Sequence, residues 1–137
     1  MKSNMYGIES RDKTIHLLHI SPRKNRKSIL KDGLTLGNTN SGYGDSPKHK
    51  AIYLYNEGNI NVMFDMIDTF EDFDIYEVEI PKSDTHNFKP DEDAVKYKGD
   101  KVKTWDDSLK YFGTVVYAAN IPISNISFLI NVNRRMN

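Results

Sequence analysis

The chain has 137 residues, 38% of them hydrophobic and 28% charged, with 19 basic against 19 acidic side chains. That is the composition of one globular domain with room for a core, and no apolar run reaches the ~18 residues that a membrane span requires. Zero Cys excludes disulfides, thiolate metal sites and a Cys nucleophile and fits a cytoplasmic setting, as does an opening "MKSNMYGIESRDK" without the apolar stretch of a secretion signal.

The neutral total covers an asymmetry. Residues 1–50 hold 10 Lys/Arg and 4 Asp/Glu, whereas residues 51–137 hold 9 and 15. A basic first third suits a phosphate-bearing ligand; it suits equally two surfaces that attract each other in the fold. The balanced total speaks against a dedicated nucleic-acid coat.

In chain order, "IHLLHI" at 15–20 is a short apolar run of the kind a buried strand shows. Ser21 and Pro22 then read as N-cap and first residue of a helix, which Asp32-Gly33 ends with Gly at a left-handed position. Four cations, Arg23, Lys24, Arg26 and Lys27, crowd that helix start, where the helix dipole disfavours them. Residues 37–50 are loop by composition, with Tyr43 between two glycines of a candidate flap. "AIYLY" at 51–55 reads as a strand, and Ile60, Met63, Phe64, Ile67 and Phe70 take the spacing of an amphipathic helix. "DIYEVEI" at 74–80 alternates as a half-buried strand.

Residues 81–103 are polar and read mostly as loop. Thr104 and Asp107 form a capping-box pattern before Trp105, Leu109 and Phe112, with Gly113 as the stop. "TVVYAANI" and "ISFLINV" follow as strands around a Pro122 turn, and their short connection predicts that they pair antiparallel. The order β-α-β-α-β-α-β-β predicts a single α+β domain over 1–137 rather than a doubly wound sheet.

Strong catalytic motifs are absent: no Gly-rich phosphate loop, no GxGxxG, no HExxH and no GxSxG. His16, His19, His49 and His86 show no metal-ligand spacing, so no metal is expected. What remains is a corner. His19 closes the first strand just before a helix start, where free backbone N–H groups and nearby cations favour an anion.

Taken together, "LLHIS" at 17–21, "SILKDGL" at 28–34, "AIYLY" at 51–55 and "GTVVYAANIPISNISFL" at 113–129 resemble the ADP-ribosyltransferase-like family in order along the chain. The resemblance implies a split mixed or antiparallel sheet flanked by helices, with NAD bound in the cleft at the split. It implies that His19 bonds a ribose, that the backbone of Ile20 grips the carboxamide, and that Ser21 adds a hydroxyl. Tyr53 would stack on the nicotinamide ring. From charge and position, Arg23 and Arg26 would neutralise the pyrophosphate, with Tyr43 on the flap. The implied reaction transfers ADP-ribose to a macromolecule, for which a protein fits the neutral charge better than a nucleic acid. The family's acidic residue, usually a Glu just before the "VVY" strand, falls here on Gly113 or Thr114; Asp106, Asp107 and Glu57 are the nearest substitutes.

The missing Glu and the acidic stretch 65–93, with 11 Asp/Glu against 2 Lys, also fit a catalytically degenerate relative that acts as a binding or inhibitor protein. The tRNA 2′-phosphotransferases share the implied architecture but lean on more basic residues than this neutral chain offers. The Lys/Asn/Ile-rich composition suits a phage or low-GC bacterium, where small relatives of this fold act as toxins or as modifiers of host or defence proteins.

Overall fold

The computed structural model describes residues 13–36, 51–59 and 72–133. The helix expected at 60–70 and the candidate flap with Tyr43 lie outside the described residues. Six strands form one sheet: β1 (Thr14–Pro22), β2 (Ile52–Tyr55), β3 (Asp72–Pro81), β4 (Phe88–Pro90), β5 (Thr114–Tyr117) and β6 (Ile126–Asn133). Their order is β4-β5-β2-β1-β3-β6, and every neighbouring pair is antiparallel. Among the described residues three helices accompany them: α1 (Arg26–Asp32), α2 (Glu92–Lys98) and α3 (Trp105–Tyr111). The α+β class is therefore as the sequence predicts.

The run "IHLLHI" is continuous rather than alternating because β1 is covered by apolar residues on both faces. Leu17 joins the main core with Leu54, Tyr76, Val78, Ile80, Val115, Leu109 and Ile29. Leu18 and Ile20 join a second cluster with Tyr55, Phe73 and Ile75 on the other side. Such a strand is pinned in register from both sides, since a slip by one residue would exchange the two sets.

Four local expectations change. Ser21 and Pro22 do not open the helix. They stay in β1, whose ladder with β3 runs as far as Pro22↔Phe73, and a 3-10 turn at Arg23–Asn25 precedes α1. The ladder outcompetes the cap: Ser21 Oγ instead accepts from Asn25 Nδ2 at 2.9 Å. Gly33 does have positive φ (77°), but its ψ of −163° is extended rather than left-handed helical. Residues 81–103 are not a loop; they hold 3-10 turns at Lys82–Asn87 and Gly99–Lys101, with β4 and α2 between them. Finally, β5 and β6 do not pair. β5 sits between β4 and β2, while β6 pairs with β3 four strand positions away. That separation is about 19 Å at ~4.8 Å per strand, within the ~30 Å that the nine steps from Tyr117 to Ile126 can span.

The Thr104–Asp107 capping box forms as expected. Asp107 N donates to Thr104 Oγ1 (3.2 Å), and the Asp107 carboxylate accepts from the Thr104 and Lys103 amides.

Candidate functional site

The sheet is narrowest between β1 and β2. All nine residues of β1 have partners in β3, but only Leu18↔Tyr55 is in register between β1 and β2. Beside that pair, the His19 side chain takes over from the ladder: Nδ1 lies 3.0 Å from the Tyr53 carbonyl oxygen. A carbonyl only accepts, so Nδ1 carries the proton and Nε2 carries a lone pair. Burial drives the His19 pKa down to about 4, against a smaller upward pull from the Tyr53 carbonyl, so the ring is neutral near pH 7. Nε2 has no hydrogen-bond partner among the described residues. Among these residues no buried side-chain nitrogen or oxygen lacks a hydrogen-bond partner. The half-buried ring lies 6.4 Å from that of Tyr76.

On β2, Tyr53 is half-buried, and its hydroxyl donates to Glu92 Oε1 at 2.9 Å. Glu92 begins α2, whose placement rests on a buried polar network. Asp91, 3% exposed, caps the helix by accepting from Asp93 N (2.8 Å) and also accepts from Thr114 Oγ1 (2.6 Å). Ser108 Oγ accepts from Asp91 N and donates to the Thr114 carbonyl. Burial raises the Asp91 pKa, opposed by the Thr114 and Asp93 bonds. Thr114, which with Gly113 is one of the two positions where the resemblance places a catalytic Glu, thus faces inward and fixes the α2 start that presents Glu92.

Arg26 and Arg23 are engaged with β3. Arg26 donates from Nε and Nη2 to the two oxygens of Asp74, at 2.8 and 2.7 Å. Asp74 is 0% exposed and also accepts from Asn131 Nδ2 (2.8 Å) and the Tyr76 hydroxyl (3.3 Å). Burial alone would raise its pKa, but the bonds from Arg26 and Asn131 hold it below the usual carboxylate range. The guanidinium is further seated 4.9 Å over the Phe128 ring. Arg23 is more exposed and lies 3.7 Å from Asp72. Arg26, the candidate for a pyrophosphate, thus commits Nε and Nη2 to Asp74 of β3 and its guanidinium face to Phe128 of β6.

The remaining sequence candidates separate. Ile20 and Ser21 are buried in β1, beside His19. Glu57 is exposed in the 3-10 turn after β2. Asp106 is exposed on α3, and Asp107 is occupied by its cap, where bonds from the Lys103 and Thr104 amides lower its pKa. His19 meets Tyr53 through the Tyr53 backbone carbonyl, while strand alternation sets the Tyr53 side chain on the face of Tyr55 rather than of Leu54; Asp106 and Asp107 have no bond to either among the described residues.

No protein-family model, curated protein or solved structure matches the chain. Among the described residues, no helix is long and apolar enough to cross a membrane.

Glu92, Asp91 and Asp74 are absent from the sequence candidates. For the first two a signal existed: Asp91 followed by Glu92 and Asp93, then Lys96, Lys98 and Gly99, is an N-cap, an acidic first turn, a basic last turn and a stop. Asp74 carries no such signal, because its partners Arg26 and Asn131 are 48 and 57 residues away.

Proposed function

We propose that the chain binds NAD at the β1–β2 split and transfers ADP-ribose from it to a macromolecular acceptor. The observation that carries this reading is the His19–Tyr53 junction: a neutral imidazole locked by Nδ1 on a backbone carbonyl, with Nε2 left as an acceptor beside the Leu18–Tyr55 pair that joins β1 to β2. An acceptor in that place suits a ribose hydroxyl. The residues near it fit a dinucleotide through neutral groups and an aromatic ring rather than through Arg26.

In this reading Tyr53 offers its ring to the nicotinamide, and Glu92 supplies the acidic group that the resemblance leaves without an owner. The bond between C1′ of the ribose and the nicotinamide nitrogen breaks, and its electron pair leaves with nicotinamide. The acceptor's nucleophile bonds to C1′ and gives up its proton. A carboxylate near the developing oxocarbenium charge acts by electrostatic stabilisation, for which one preorganised group contributes ~10²–10³ in rate.

The test uses radiolabelled NAD and a cell extract as acceptor, with thermal unfolding to monitor NAD binding. Binding that is lost in His19→Ala, with label transfer lost in Glu92→Gln but binding kept, is expected. Absence of both binding and transfer at cellular NAD concentration refutes the reading. Binding without transfer, in the parent chain, favours the degenerate relative that only engages a partner.

A further inference from the structure

On the face of β1 opposite His19, the cross-strand register assembles a set of metal-ligating atoms that the spacing of histidines along the chain does not reveal. His16 stands opposite Glu79, and Glu77, two residues along β3, lies on the same face. His16 Nδ1 is 3.7 Å from Glu77 Oε1 and 3.8 Å from Glu79 Oε1, and the three ligand atoms all lie within 4.8 Å of one another.

We propose that His16, Glu77 and Glu79 form a binding site for a divalent transition-metal ion, Zn²⁺ foremost. Ligands held ~2.1 Å from a tetrahedral ion lie about 3.4 Å apart, so the two observed nitrogen–oxygen separations need only a few tenths of an ångström of closure. The side chains retain that freedom, being 34%, 38% and 49% exposed for His16, Glu77 and Glu79. The other imidazole nitrogen is held as well: Nε2 lies 3.0 Å from Thr14 Oγ1. That contact orients the ring and leaves Nδ1 aimed at the carboxylates, the arrangement in which a ligating His donates its second N–H to an outer partner. The charge count points the same way. Two carboxylates face one another across a single turn of pleat, and among the described residues neither has an ionic partner besides His16. An imidazole with two carboxylates selects Zn²⁺ and its transition-metal neighbours over Mg²⁺ and Ca²⁺, which take all-oxygen sets. Three protein ligands leave a position for water. The ion would tie β1 to β3 from behind the strand that carries His19, so the site is independent of the NAD reading.

The experiment is calorimetric titration of chelator-stripped protein with ZnCl₂, MgCl₂ and CaCl₂. One equivalent of Zn²⁺ is expected, with no comparable binding of the other two. His16→Gln and the double variant Glu77→Gln with Glu79→Gln should abolish it, and Thr14→Val should weaken it by the ~10–100-fold typical of an outer-shell loss. All four positions are partly exposed, so these variants keep their circular dichroism spectra, which is verified alongside. Three results overturn the proposal: no stoichiometric Zn²⁺ binding, Zn²⁺ binding unchanged in both ligand variants, or Mg²⁺ and Ca²⁺ binding as tightly as Zn²⁺.

Discussion

His19 makes folding depend on pH in a window that its partners define. Its pKa is about 4 in the folded chain against 6.5 unfolded, because the ring is desolvated at the β1–β2 junction. The depressed value fixes the sign. Above pH 6.5 both states hold a neutral ring and the stability is fully present; as pH falls, the unfolded chain takes up the proton first, and stability is lost progressively until the folded ring titrates near 4. The linkage relation gives a loss of roughly 2 kcal/mol between pH 7 and pH 5, and roughly 3 kcal/mol by pH 4. His19→Asn places an amide N–H where Nδ1–H stands and removes the titration. Urea unfolding of both proteins at several pH values isolates the term, since carboxylates common to both cancel in the difference. The parent should lose about 2 kcal/mol relative to the variant between pH 7 and 5. A flat difference, or a parent that gains on the variant as pH falls, would refute the buried, carbonyl-bound ring. Titration of the His19 ring by NMR gives a second reading, with a midpoint near 4 expected rather than near the 6.5 of a free ring.

Three further outcomes follow from the same structure. Asp74→Ala removes the acceptor shared by Arg26, Asn131 and Tyr76 and should cost about 3–5 kcal/mol in chemical unfolding, the range for breaking a buried ion pair. Gly33→Ala should cost more than about 3 kcal/mol. Its backbone conformation is one that only Gly adopts readily, and a Cβ would collide with the Ile121 carbonyl and reach 2.9 Å from Ile123 N, disturbing the Leu34–Ile121 hydrogen bonds. Gly99→Ala is the control, because its positive φ is similar but nothing lies within 4 Å of the added carbon, so most of the difference between the two reports the collision. Asp106→Asn and Asp107→Asn should leave any NAD-dependent transfer unchanged, whereas Thr104→Ala should cost about 1 kcal/mol of stability as the cap of α3 is lost.

The sequence made visible what depends on neighbours along the chain. The strands at 15–20, 51–55 and 74–80 declared themselves through apolar runs and alternation, and the capping box at Thr104 through a three-residue spacing. The final two strands were each recognisable, but not their partners. A short connection normally joins neighbours, and nothing local reveals that the segment after Tyr117 is tied to Leu34 and led across the sheet. Tyr53 was legible as an interior strand residue, whereas His19, read as the end of the first strand, lies three residues inside β1, which the ladder with β3 extends to Pro22. Glu92 was hidden by a polar stretch whose capping signs were passed over, and the His16–Glu77–Glu79 set by its dependence on a cross-strand register that no spacing along one chain encodes.

Two of the four cations around the start of α1, Arg23 and Arg26, are explained by the same register. Every ion pair among the described residues joins the segment from His16 to Arg26 with β3: His16 with Glu77 and Glu79, Arg23 with Asp72, Arg26 with Asp74. The charge asymmetry between the two parts of the chain is thus, in good part, a set of attractions across β1, α1 and β3. Arg26 is placed at the helix start by its carboxylate partner, which outweighs the few tenths of a kcal/mol to ~1 kcal/mol that the helix dipole costs a cation there. An anionic ligand at this corner would have to compete with Asp74 for a fork already filled by two short bonds. Under the NAD proposal, recognition at the β1–β2 junction would therefore fall to groups that carry no charge, the Nε2 of His19 and the ring of Tyr53. Binding that rests on them should weaken little with added salt, whereas binding to a basic phosphate cradle should weaken steeply.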